Sequence, residues 1–274
     1  MRNIRHGSHA LIMLVIGIVI LFPLYWLLAT SLKPSDEIFA SPPTIFPKHF
    51  SWAHYTNVFR NSEIPTYFYN SMVIAAATVF IVLTVASLAA YSVTRYQFRG
   101  KVAYFITILF AQVMPLTTLI VPLYIMWGKL DMLNSFTSII LTYCAILTPM
   151  AIWLLTGYFK SIPKDIDEAA TIDGCSSFGI LVRMVLPLAR SGLVAVGLTV
   201  CITVWQEMLI SMTFVSDDAM RTLPAGINNF ITRSGIQWGP LNASGIVTTL
   251  PVLVIFILFQ KALVKGLTAG ATKG

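Results

Sequence analysis

Charged residues leave six long gaps along the chain. No Asp, Glu, Lys or Arg occurs over residues 6–32, 64–94, 102–128, 132–159, 191–206 or 234–260, and five of these runs reach 27 residues or more. A helix needs about 20 apolar residues to cross the hydrocarbon core of a bilayer. The short run, 191–206, continues past Glu207 to Val215 with that single charge, so it extends to a full span. Only helices and closed barrels span lipid. The runs are two to three times the length of a barrel strand of about 10 residues and do not alternate in polarity. The pattern therefore predicts an all-α integral membrane protein, a single transmembrane domain over 1–274. Its six transmembrane helices fall near 10–30, 69–92, 103–126, 134–157, 192–214 and 244–262.

The first span follows Arg2 and Arg5, as a signal peptide would. Its apolar run, Leu11–Ala29, is long for a signal segment, and Thr30-Ser31-Leu32-Lys33 lacks a small-x-small cleavage site, so it is expected to stay as a span. Pro115, Pro149 and Pro251 fall inside the third, fourth and sixth spans and are expected as tolerated kinks. Trp26, Trp127, Trp205 and Trp238 fit interfacial belts.

Composition agrees with the pattern. The chain is 57% hydrophobic and 11% charged, against about 25% charged in a soluble domain. Intrinsic disorder is excluded on the same ground. The net charge of +7 is not a nucleic-acid-binding surface but a topology signal. With the N-terminus in the cytoplasm, one side carries Arg2, Arg5, Arg95, Arg99, Lys101, Lys160, Lys164, Arg183, Arg190, Lys261, Lys265 and Lys273, twelve of the 18 basic residues. The positive-inside rule puts that side, and both termini, in the cytoplasm, with membrane lipid as the counter-charge. Three loops are then substantial: 31–68 and 215–243 outside, and 159–190 inside. The short loops after the second and third spans make those helices antiparallel neighbours.

Much familiar chemistry is missing. There is no G-x-x-x-x-G-K-[ST], no H-E-x-x-H and no G-x-S-x-G, and the four histidines are scattered. Cys144, Cys175 and Cys201 lie in the membrane or inside it, which argues against a disulfide or zinc site. No catalytic residue and no metal ligand is assigned, and the chain itself is expected to bind no cofactor. An ion-driven carrier needs intramembrane acids, and Glu207 is the single one in a span.

The inside loop is the informative segment. Ser161 and Pro163 open a helix expected over Lys164–Asp173, with Asp165, Asp167 and Glu168 at its favourable N-terminal end. Ile162, Ile166, Ala169, Ala170 and Ile172 form a small apolar face, and Gly174 stops the helix as a glycine of positive φ. Phe178, Ile180, Leu181, Val185 and Leu186 give a second apolar stretch, ended by Pro187. From spacing alone, an amphipathic segment resting on headgroups is an equal reading.

The ordered set Glu168-Ala169-Ala170, Asp173-Gly174 and Leu186-Pro187 resembles the "EAA" signature of the membrane subunits of ABC importers. The flanks resemble the carbohydrate-importer branch. They comprise Thr30-Ser31-Leu32-Lys33-Pro34 with Pro42-Pro43, Trp52 and Tyr55; Asn70-Ser71; Ala90-Tyr91 with Arg95; Trp205-Gln206-Glu207; and the tail Gln260-Lys261, Gly266-Leu267-Thr268, Gly270-Ala271, Lys273-Gly274. Two positions depart: Ser191 stands where the family usually has proline, which should loosen the start of span five, and Gln206 where asparagine is common.

The resemblance implies the permease fold of that family in a bacterial or archaeal cytoplasmic membrane. It implies a second homologous permease subunit, two ATP-binding subunits that carry ATP and Mg, and an extracytoplasmic solute-binding protein. It implies a sugar or related polyhydroxy solute, with Glu168, Ala169, Ala170, Asp173, Gly174, Leu186 and Pro187 coupling the chain to the ATPase. Arg95 and Arg99 read as positive-inside anchors. Glu207 reads as a structural or gating group, with sugar contact as the alternative. Gln112, Asn134 and Gln206 are further candidates for the pathway, each equally able to bond a neighbouring helix. Two other readings stay open: a secondary carrier acting alone, and a membrane assembly subunit without a transport path.

Overall fold

The computed structural model describes residues 2–271, with side chains over 12–260. The side chains of Arg2, Arg5, Lys261 and Lys265, and the tail motif beyond Gln260, lie outside those described. The helices in order are α1 (Arg2–Ser31), α2 (Ser35–Ile38), α3 (Ala53–Arg60), α4 (Ile64–Arg95), α5 (Lys101–Val113), α6 (Leu116–Lys129) and α7 (Phe136–Lys160). They continue with α8 (Asp165–Ile172), α9 (Ser177–Ile180), a π turn over Leu181–Val185, α10 (Leu186–Leu188), α11 (Arg190–Gln206), α12 (Leu209–Phe214) and α13 (Leu223–Ile227). A two-residue hairpin, β1 (Ile231–Thr232) with β2 (Gly235–Ile236), precedes α14 (Trp238–Ala271).

Four helical segments are individually long and apolar enough to cross a membrane: Ile12–Ser31, Ile64–Arg95, Phe136–Lys160 and Trp238–Gln260. Two further pairs qualify only together, α5 with α6 and Ser177–Leu188 with α11, bent by 96° and 82°. The single helix expected over 103–126 is therefore two. Pro115 has no N–H and disfavours the helical region for the residue before it; Met114 and Pro115 are both extended, with ψ of 119° and 133°. Pro149 and Pro251 sit inside continuous helices, as expected. The span expected over 192–214 is also interrupted, at Glu207–Met208 between α11 and α12.

The chain forms two compact units. Among the described residues, the first comprises 2–66 with 226–251, and the second 67–225 with 252–271. In the first, the α1–α3 connection folds tightly. Ser31 and Tyr55 share a hydroxyl hydrogen bond of 2.8 Å, and His54 Nε2 lies 2.9 Å from the Lys33 carbonyl. Gly239, at the start of α14, is pressed against the His54 ring, where a Cβ would approach within 2.2 Å.

In the second unit α7 is the central helix. Ile139, Ala151, Leu155 and Phe159 are fully buried, and the core continues through Val82, Ala86, Val196, Val200 and Phe214. Membrane helices gain little by hiding apolar groups from lipid, so they pack through small residues. Gly192 of α11 shows this: a Cβ there would lie 2.4 Å from the Tyr158 ring of α7. Away from these seams, Ile12–Phe22, Phe110 and Leu250–Leu258 present large apolar side chains outward, far more than a soluble monomer exposes.

Candidate functional site

Helix α8 begins one residue later than its sequence expectation and ends one earlier, within ordinary boundary scatter. Asp165, Asp167 and Glu168 lie in its first turn, where the helix dipole favours negative charge. Its end is fixed by backbone bonding. Gly174 has φ +83°, the Gly174 amide donates to Thr171 O at 3.0 Å, and the Cys175 amide donates to Ala170 O at 2.9 Å. That pair of bonds is the Schellman motif, which needs a left-handed residue at the Gly174 position. Ser176 then caps the next helix, its hydroxyl accepting from the Gly179 amide at 3.2 Å. Two helices are thus joined by a short turn fixed by the Gly174 and Cys175 amides on one side and the Ser176 cap on the other.

The apolar face expected on α8 divides in two. Ala170 and Ile162 are buried in the core of this chain. Glu168, Ala169, Asp173 and Gly174 are exposed, and Ile172 is 87% exposed. The outward side of α8 is therefore small, apolar and acidic together.

Helix α9 runs through the π turn into α10, so Pro187 does not end it; the bend comes at Ala189. Pro187 cannot donate to a carbonyl one turn back. The ladder slips instead, with the Leu186 amide bonding Leu181 O, five residues back. Leu186 is half-buried and Pro187 exposed. Helix α11 begins at Arg190 with Ser191 in its first turn, where the family's usual proline would also fit.

Arg95, expected as a positive-inside anchor, also has partners within the protein. Its guanidinium is buried, pairing through Nε with Asp167 Oδ2 and donating from Nη1 to Ile162 O at 3.2 Å. Sequence reading missed this pairing because a basic residue closing a span has the same appearance whether it faces headgroups or a carboxylate. An open groove of about 430 Å³ beside it is lined by Tyr91, Arg95, Lys164, Asp167 and Glu168, among others.

The pathway candidates have different local surroundings. Glu207 occupies the break between α11 and α12. Its carboxylate accepts from the Leu209 amide at 2.7 Å, the Ile210 amide at 3.1 Å and the Tyr143 hydroxyl at 2.7 Å. One acid thereby satisfies the first amides of α12 and ties the break to α7. Tyr143, a polar tip inside an apolar helix, is a partner that the sequence reading did not name. Asn134 has φ +54°, and its Oδ1 accepts from the Ser216 and Asp217 amides at 2.6 and 3.2 Å. Gln112 and Gln206 are exposed, each at the end of a helix next to a break.

Asn70 and Ser71 pin the 215–223 segment: Asn70 Nδ2 donates to Ala219 O and Arg221 O, and Ser71 Oγ accepts from the Leu223 amide. Trp127 and Trp205 are buried within the protein rather than placed in a belt, and Trp127 Nε1 donates to Thr142 Oγ1 at 2.9 Å. Glu37, in segment 31–68, accepts from the Lys48 amide, Thr44 Oγ1 and the His49 amide. Those bonds, the Lys48 amide first, hold its carboxyl below the usual carboxylate range, against a smaller opposing effect of burial.

The chain is thus mostly helical, with several helices able to span a membrane and a two-helix elbow whose outward face is acidic and apolar. Residues 83–269 match the family described as binding-protein-dependent transport system inner membrane component, and the chain belongs to that family. It is similar to the sulfoquinovosyl glycerol transport system permease protein of Agrobacterium fabrum, 35% identical over 97% of this chain and 92% of that protein. It is also similar to the trehalose/maltose transport system permease protein of Thermococcus litoralis, 34% identical over 96% of this chain and 97% of that one. A crystal structure of a bacterial ABC transporter involved in the import of the acidic polysaccharide alginate superposes with a TM-score of 0.82 at 18% identity, over 94% of this chain and 96% of that one. The fold is that of an ABC importer permease, and the chain is a multi-pass membrane subunit of such a transporter.

Proposed function

We propose that this subunit forms, with a second permease subunit, the path by which a sugar or related polyhydroxy solute enters the cell. Helix α8 is its coupling helix, seated on one of two ATP-hydrolysing partner subunits that carry the ATP and Mg. The observation that carries this is the division of α8: Ala170 holds it to the chain's own core, while Glu168, Ala169, Ile172 and Asp173 face away from it. An 87% exposed isoleucine beside acids suits a partner's groove better than water. Glycosides recur in the printed names of the relatives, which supports the solute class. A related importer has been solved with its alginate pentasaccharide-bound periplasmic protein, which supports an extracytoplasmic binding protein here, docking on 31–68 and 215–243.

On this reading the bent pair α5–α6 and the α11–α12 segment each complete a span, giving six in one permease domain with both termini in the cytoplasm. Glu207 is the gating or structural group of the fifth, and no bond chemistry occurs on this chain. Ile166 of α8 is half-buried and Ala169 exposed. Single cysteines at these two sites, in a complex lacking Cys144, Cys175 and Cys201, separate the readings. Crosslinking to an ATPase subunit from position 169 but not from 166 is expected. No crosslink from 169 would overturn the coupling assignment.

A further inference from the structure

Helix α8 is joined covalently to two spanning elements, α7 before it and, through α9 and α10, α11 after it. Neither connection reaches α4. Arg95, the last residue of α4, makes that third connection. Its side chain is 7% exposed and that of Asp167 14%. The same guanidinium holds two places at once: the first turn of α8 through Asp167, and the chain leading into α8 through the Ile162 carbonyl at 3.2 Å. Asp167 and Ala170 are three residues apart and share the inner face of α8, whereas Glu168, Ala169 and Ile172 point out. Arginine does not deprotonate in proteins, and removing one partner of a buried pair strands the other charge out of water. Such a pair adds little net stability over an apolar contact; what it supplies here is a directed tie between α4 and the start of α8.

We propose that the Arg95–Asp167 pair is the link by which a displacement of α8 reaches α4, making the elbow and the end of that spanning helix one moving body. The proposal rests on α8 being the coupling helix. Arg95 and Asp167 are positioning residues: they touch neither ATP nor solute, and set which helices move when the ATPase closes.

The test uses the complete importer, reconstituted with its partner subunits and binding protein. Arg95→Gln and Asp167→Asn complexes are expected to assemble and hydrolyse ATP, with solute imported per ATP falling about tenfold, within the usual range of a coupling free energy. The exchanged pair Arg95→Asp with Asp167→Arg recovers part of that ratio. An unchanged ratio in both single variants overturns the proposal. Because a single variant can fail to fold, a second measurement uses the native pair. Spin labels at the exposed Ser92 and Thr171 keep their separation between nucleotide-free and ATP-trapped states. A changed separation overturns the proposal. Ala169→Leu, on the outward face, tells the two levels apart. If it uncouples the importer while Arg95→Gln does not, the link fails and the coupling helix stands. If neither has an effect, the coupling assignment fails as well.

Discussion

Gly174 shows how much a single backbone angle decides. A Cβ there would meet nothing within 4 Å, so no steric argument protects the position, and φ +83° is the whole constraint. A residue with a side chain pays roughly 1–2 kcal/mol in the left-handed region, Asn least and β-branched residues most. Solute uptake should therefore fall in the order Gly174→Asn, Gly174→Ala, Gly174→Val, while membrane insertion, read by protease accessibility of the loops, stays normal. Wild-type uptake in Gly174→Val contradicts the role given to the turn. Glu37 makes a comparable case in segment 31–68. Its folded carboxyl titrates below its unfolded value. The charged form thus stabilises the loop above the unfolded pKa, and that contribution disappears as pH falls through the lower, folded one. Limited proteolysis of the solubilised protein should find 31–50 protected at about pH 5 and opening only below about pH 4, the ordinary carboxylate range. In Glu37→Gln it should be open throughout. Wild-type opening above that range contradicts the account.

Elements were legible in the sequence wherever one local rule dominated. Gaps in charge located every long helix. Three acids followed by Gly174 located α8, and the glycine defined the turn that the backbone bonds confirm. The breaks were harder to read. Pro115 splits a helix that Pro122, Pro149 and Pro251 leave whole in their own contexts, so proline alone does not tell a kink from a break. Glu207 looked like an acid within a span. It caps a break through the Leu209 and Ile210 amides, and its further tie to α7 rests on Tyr143, distant in sequence but 2.7 Å away in space. The Arg95 pairing was hidden for a related reason: its partner lies on another helix. Gly192 and Gly239, each seated against a ring, carried no local signal at all.

At the scale of the whole molecule, scarcity of charge has two consequences. The apolar exteriors of α1 and α14 suit lipid and partner subunits. The described membrane interior offers Glu207 as its acid, and that carboxylate is occupied by two amides and a hydroxyl. Ion-driven transport would have to work through a group already committed to holding a helix break. On the function proposed above, the driving force lies on a partner and reaches this chain through α8. The most direct measurement of that claim is solute uptake into liposomes holding this chain, its second permease subunit, the ATPase and the binding protein. Uptake is expected to require ATP and every component, and to persist when ion gradients are collapsed. Uptake driven by an ion gradient in liposomes lacking the ATPase would contradict it.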